Sequence, residues 1–187
     1  MIAILDYGSG NLRSAERAFA TAGKDVVVTS DRTVALQAEG LVVPGVGAFA
    51  ACMNGLNAVD GAAIVRERLA KERPTLGICI GMQIMFSQGT EHADGTPHAG
   101  IGVWDGIVSQ LDAPILPHMG WNTLQWSGDD PLLAGLPKEC AVYFVHSYYC
   151  VPRESEAHRI TSLLVVDDAA RLCGAVNSND LMRAKVI

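Results

Sequence analysis

Nowhere in this chain does an apolar run approach the length of a membrane-crossing helix, so no helical membrane span is expected. Basic residues are outnumbered. The formal net charge is −6 and no basic stripe occurs, which argues against nucleic acid as a partner. There is no CxxC. The five cysteines, at 52, 79, 140, 150 and 173, follow no metal-ligand spacing, so neither a metal nor another cofactor is implied. An odd number of scattered cysteines in a mid-sized domain reads as reduced thiols in the cytoplasm. Met1 leads directly into an apolar strand pattern without a charged leader, so no signal peptide is expected. Internal repeats and low-complexity tracts are absent.

What is present is a chain of 187 residues, 49% hydrophobic, enough for one globular domain over residues 1–187 with a sizeable core. Short apolar strands are expected at residues 2–5, 26–28, 41–43 and 76–79. Between the first two, Asn11 is a good N-cap, Leu12, Ala15, Phe19 and Ala22 recur at helical spacing, and Gly23 closes the helix. A second helix carries Ile64 and Leu69 and ends near Arg73. Another opens over residues 81–87. Strands alternating with helices predict a parallel α/β sheet, with ligands at the carboxyl ends of its strands. After Gln88 the pattern changes. Residues 89–100 read as a polar loop, and strands at 103–111, 124–126 and 141–145 follow without helices between them. The expected fold is therefore an open, mostly parallel sheet flanked by helices, with antiparallel strands in the second half.

The chemistry centres on Gly77-Ile78-Cys79-Ile80-Gly81-Met82-Gln83. A lone cysteine is ordinarily a buried core residue. Here it ends a strand, opens a helix and has a glycine two residues away on each side. That is the thiol counterpart of the G-x-S-x-G nucleophile elbow. The helix N-terminus should favour the thiolate. Gln83 follows one helical turn later, which brings its amide toward the same pocket. Pro44-Gly45-Val46-Gly47 is a plain turn when taken alone. Beside a nucleophile, its freed N–H groups would form an oxyanion hole. His146, at the end of a strand, is the best internal candidate for a base, the alternative being a histidine satisfied locally by hydrogen bonds. His92 and His98 fall in the polar loop. His118 lies in an irregular segment, Leu116-Pro117-His118-Met119-Gly120-Trp121-Asn122, of the kind that carries ligand or partner contacts; its alternative is a structured loop with Trp121 buried. Gly8-Ser9-Gly10 lacks the third glycine of a dinucleotide fingerprint, because Arg13 stands in its place.

Five motifs in order then carry a resemblance over residues 1–150. They are Asp6-Tyr7-Gly8-Ser9-Gly10-Asn11, Pro44-Gly45-Val46-Gly47-Ala48-Phe49, the Cys79 elbow, Pro117-His118-Met119-Gly120-Trp121-Asn122 and Phe144-Val145-His146-Ser147-Tyr148. Together they resemble the class I (triad) glutamine amidotransferases, and among these the glutaminase subunits of imidazole glycerol phosphate synthase, in histidine biosynthesis. The resemblance implies hydrolysis of glutamine through a Cys79 thioester, with ammonia passed to a (β/α)8-barrel synthase subunit as heterodimeric partner. It also implies that partner and substrate switch the glutaminase on. Gly45, Val46 and Gly47 would form the oxyanion strand. Gln83, Ser147 and Tyr148 would cradle glutamine, with His146 in that cradle instead of acting as base. Asn11 and Trp121 would face the partner.

In that family the base and its orienting acid lie in a Phe-His-Pro-Glu-Lys-Ser motif, and no His-Pro-Glu occurs in this sequence. Residues 159–187 are not expected to align with the family. Losing a general acid–base costs about 100- to 10,000-fold in rate. The alternative expectation is thus a catalytically dead subunit that still docks on the barrel. A frameshift downstream of residue 158 would explain the tail, as would a diverged tail in which His146 or His158 serves as base. Either way, missing closing strands would leave an exposed sheet edge.

Overall fold

β1 (Ile2–Leu5) is apolar and buried along its whole length. It pairs in parallel with β2 (Val26–Thr29) on one side and β3 (Gly40–Gly45) on the other. β4 (Thr75–Cys79) adds in parallel to β3, giving the order β2-β1-β3-β4. Strands covered on both faces read as continuous hydrophobic runs, which is the pattern at residues 2–5 and 41–43. The structure, a computed structural model, describes residues 1–123, 136–137 and 140–153, and the backbone of strands at 162–166 and 172–177.

The helices follow from caps as much as from periodicity. α1 (Leu12–Thr21) starts where the Asn11 side chain accepts from the Ser14 N–H, and Gly23 ends the turn after it at φ +75°. α2 (Arg32–Gln37) is capped by Asp31, which accepts from the Val34 N–H. α3 (Phe49–Ala58) and α4 (Gly61–Ala70) complete the set before β4. Neither α2 nor α3 is anticipated by the sequence reading. α1 covers Ile2, Ile4 and Val42 on one face of the sheet. The other helices cover Ala3, Leu5, Leu41 and Val43 on the opposite face.

One cation is buried within this layer. The guanidinium of Arg68, on α4, donates to the carbonyls of Ala35 (2.8 Å), Ala38 (2.9 Å) and Pro74 (2.7 Å), with further contacts to Leu36, Glu39 and Thr75. Burial draws its pKa down to about 10. A buried charge survives only when its hydrogen bonds are made, and here three chain segments converge to make them.

After β4 comes α5 (Ile80–Gln83), only four residues long. The helix expected through residue 87 stops because the carbonyls of Ile84, Met85 and Phe86 accept from the amides of Ile101, Val103 and Gly102. That tertiary pairing overrides the helical spacing of the apolar residues. β5 (Phe86–Gly89) then joins β6 (His98–Ala99), β7 (Trp104–Gln110) and β10 (Tyr148–Pro152) in the order β10-β7-β5-β6. Within it β5 and β7 are parallel and the other pairs antiparallel. The polar stretch 89–100 is therefore a loop that begins and ends in strand residues.

β8 (His118–Thr123) and β9 (Ala141–His146) form a separate antiparallel pair. The irregular segment expected around His118 is thus a strand, and Trp121 is 58% exposed instead of buried. Its partner strand lies far along the chain, so no local pattern fixes its register. The strand expected at 124–126 and His158 lie outside the described residues. β11 (Ser162–Val166) and β12 (Leu172–Asn177) pair antiparallel, and β12 runs alongside β4. The bare sheet edge expected there is covered.

Candidate active site

The strand order places a crevice at the carboxyl ends of β1 and β3, because the chain leaves β1 toward β2 and returns on its other side as β3. Ligands of open α/β sheets bind at such a reversal. Three segments meet there: the turn after β1, the end of β3 and the elbow after β4.

Cys79 sits at the elbow with φ +56° and ψ −119°, a backbone conformation that a residue with a Cβ adopts only under constraint. The constraint is close packing of the flanking glycines. A Cβ on Gly81 would stand 1.9 Å from the Val43 carbonyl oxygen, and one on Gly77 would stand 2.5 Å from Met82 Cα. Gly45 lies in register beside Cys79, and a Cβ there would come within 2.3 Å of the Gly81 nitrogen. The glycine spacing that marks the motif is thus a steric requirement of the turn.

The surroundings of the sulfur favour its thiol form. Burial pushes the Cys79 pKa up, and the neighbouring Cys52 and Glu91 add to the rise, while the Ile80 N–H pulls the other way. This direction runs against the thiolate expected from the helix N-terminus. α5 is a single turn and offers little macrodipole against desolvation. Cys150, coupled to Cys79, is pushed up to about 12 by its own burial. Tyr7, also buried close by, is pushed above the ordinary phenol range and donates to the Pro44 carbonyl.

The remaining expected residues fall as follows. Pro44 and Gly45 belong to β3 instead of a turn beyond it. β1 stops pairing at Val42, so Pro44 forfeits no ladder bond on that side. The Val46 N–H donates to Ser9 Oγ at 3.1 Å, and Ser9 Oγ donates back to the Val46 carbonyl at 2.8 Å. Cys52 Sγ also donates to that carbonyl. Val46 is therefore engaged on both sides of its residue in this structure. Gly47 follows at φ +93°, exposed at the crevice. Gln83 is 8% exposed, and its amide has no hydrogen-bond partner among the described residues. The Ser147 carbonyl accepts from the Leu111 N–H and the Tyr148 carbonyl pairs with His146 Nδ1 at 3.0 Å. His146 stacks edge-on against His118, 5.7 Å between ring centroids, and no hydrogen bond joins a histidine to Cys79 among the described residues. Asn11 spends its side-chain oxygen on the α1 cap. Trp121 stands exposed on β8, edge to face with Tyr143.

Glu91 was not singled out in the sequence. It lies in the loop after β5, near enough for its charge to be felt at Cys79, and its carboxylate accepts from the Phe49 N–H at 2.7 Å. No local signal marks it, since its partners are 42 and 12 residues away by number. Among the described residues no cluster of three or more His, Cys, Asp or Glu could hold a metal ion. No helix among them is long and apolar enough to cross a membrane.

A parallel sheet flanked by helices, with a strained thiol elbow at its carboxyl edge, defines an open α/β protein. The chain belongs to the class-I glutamine amidotransferase family, whose model matches residues 3–183. It is 58% identical over 147 residues to the imidazole glycerol phosphate synthase subunit HisH of Nocardia farcinica, covering 79% of this chain and 69% of that one. It is 50% identical over 185 residues to the HisH subunit of Corynebacterium diphtheriae, covering 97% of this chain and 87% of that one. A solved structure described as a glutamine amidotransferase shares the fold, with a TM-score of 0.64 over 99% of both chains at 16% identity.

Proposed function

We propose that this chain is the glutaminase subunit of an imidazole glycerol phosphate synthase, acting in histidine biosynthesis. The observation that carries the proposal is Cys79 at its elbow, in a chain at least half identical to HisH subunits. The Cys79 sulfur attacks the side-chain carboxamide of glutamine. Ammonia leaves, a glutamyl thioester forms, and water releases glutamate. Gly45, Val46 and Gly47 supply the backbone beside the developing oxyanion. Gln83, whose buried amide has no partner among the described residues, and the backbone at Ser147 and Tyr148 hold the substrate. A buried amide without a partner is costly, and a polar substrate that hydrogen-bonds to it removes that cost.

Ammonia then goes to a (β/α)8-barrel synthase subunit. The exposed apolar face of β8 and β9, with Met119 and Trp121 opposite Val145 and Tyr143, is the surface assigned to that partner, and Asn11 at the start of α1 is assigned to it as well. An aromatic anchor ringed by apolar side chains is a usual binding hot spot. The four described cysteines are all free thiols, in keeping with a cytoplasmic location. Because burial raises the Cys79 pKa, the isolated chain should turn over slowly.

Coexpression with a barrel subunit tests the proposal. Glutamate release that depends on the partner and vanishes in Cys79→Ala supports it. Stable docking with no release above the Cys79→Ala level would overturn the catalytic reading and leave a binding subunit.

A further inference from the structure

α5 ends at Gln83, and a strap of backbone from further along the chain ends it. The last carbonyls of a helix have no partner within it. The Ile84 carbonyl, one residue past α5, accepts from the Ile101 N–H at 2.7 Å, the Met85 carbonyl from Val103 at 3.0 Å and the Phe86 carbonyl from Gly102 at 3.2 Å. The approach is so close that a Cβ on Gly100 would stand 2.1 Å from the Phe86 carbonyl oxygen and 2.9 Å from that of Ile84. The strap is itself anchored from α4. Ile101 is 2% exposed, so its carbonyl needs a donor within the protein. Arg66 supplies it from 35 residues away: Nη2 donates at 2.7 Å and Nε at 3.2 Å. Arg66 makes no ion pair among the described residues, and the adjacent carboxylate, Glu67, pairs instead with Arg32 and Lys71. A line of hydrogen bonds therefore runs from Arg66 through Ile101 to Ile84, the residue that follows Gln83.

The Gln83 side chain is buried, and its amide has no partner among the described residues, so the backbone that carries it sets its place. We propose that Arg66 is a positioning residue for Gln83: by holding the Ile101 carbonyl it fixes the strap over residues 100–104 that ends α5, and so sets where the Gln83 amide meets glutamine. The inference rests on the glutaminase reading and deepens it. Arg66 acts on the strap, and the strap acts on the side chain that binds substrate.

The test uses the complex with the barrel subunit and four variants: Arg66→Ala, Arg66→Lys, Gln83→Ala and the double variant Arg66→Ala/Gln83→Ala. Arg66→Ala is expected to raise KM for glutamine by about fivefold or more with kcat within about twofold of the parent, the pattern of lost substrate binding. Arg66→Lys keeps a donor but not the fork, so its KM should fall between the two. Should Arg66→Ala fail to fold, Arg66→Lys decides: a KM raised by about twofold or more supports the proposal, and an unchanged KM overturns it. In the Gln83→Ala background, Arg66→Ala should change KM by less than about twofold, because residues acting as a unit are not additive. A lowered Tm with KM unchanged would make Arg66 a purely structural residue and overturn the proposal, as would a loss confined to kcat or two effects on KM that multiply in full. Hydrogen exchange gives a readout independent of turnover: the amides of Ile84, Ile101 and Val103 should exchange at least about tenfold faster in Arg66→Ala, with those of β1 unchanged. A complex without glutaminase activity would sink the functional reading, and exchange would still decide whether Arg66 holds the strap; unchanged rates there would overturn the proposal.

Discussion

The parallel sheet and the β8–β9 pair are built on opposite terms. β1 and β3 are buried on both faces, and their tips are shaped by backbone packing against neighbouring backbone, as at Gly45 and Gly81. β8 and β9 carry one face that no described residue covers: Met119 is 59% exposed and Trp121 58%. The first region spends its apolar residues on its own core and gains rigidity enough to hold Cys79 in a strained conformation. The second leaves apolar residues over. A Trp and a Met side by side on one exposed strand face mark a candidate interaction surface.

The contrast is sharpest if each region is broken separately. Arg68→Ala strikes the buried region, removing a cation that ties α2, α4 and the start of β4 together. It should cost about 3–5 kcal/mol of stability in urea unfolding, because several buried carbonyls lose their donor. A cost under about 1 kcal/mol would mean the buried network is ornamental. Trp121→Ala strikes the open region. Unfolding should shift by no more than about 0.5 kcal/mol, while affinity for the barrel subunit should drop by about 2 kcal/mol, some thirtyfold. Equal effects on both quantities would erase the distinction drawn between the regions.

The smallest effect is graded with pH. Cys79, Cys150 and Tyr7 all have pKa values raised by burial in the folded chain, Cys150 to about 12. The unfolded chain releases these protons first, so above the ordinary thiol pKa it binds fewer protons than the folded one and stability must fall as pH rises. Cys150 alone should contribute a slope approaching about 1.4 kcal/mol per pH unit between about pH 8.5 and the folded-state pKa of about 12. Chemical denaturation between neutral and alkaline pH reads this slope. Cys150→Ala should flatten it, and an unchanged slope would contradict the burial assigned to that thiol.

Much of the parallel region is legible in the sequence, because its signals are local. Asn11 and Gly23 bracket α1 by cap chemistry that any reader of the sequence can apply. The two glycines around Cys79 encode the elbow directly. α3 is illegible for an equally physical reason. Its buried residues Phe49, Cys52, Met53 and Leu56 have helical spacing, but Gly55 interrupts them and the capping carboxylate comes from Glu91 in another part of the chain. α5 is overestimated because residues 101–104 capture the carbonyls that a longer helix would have used. The β8 strand is missed because its register is set by β9 and by nothing nearby. In the site, the thiol at the elbow can be read in advance, whereas the direction of its pKa cannot. A helix N-terminus argues for thiolate, and only the burial of the sulfur beside Cys52 and Glu91 shows which influence is larger.

The central claim is that one thiol among five is presented for attack on a carboxamide. The direct measurement is peptide mapping by mass spectrometry after the complex with the barrel subunit is treated with a glutamine analogue bearing an electrophile at the carboxamide position. A single adduct on the peptide containing Cys79, suppressed by excess glutamine, is the predicted result. Adducts spread evenly over Cys140, Cys150 and Cys79, or none at Cys79, would contradict the account.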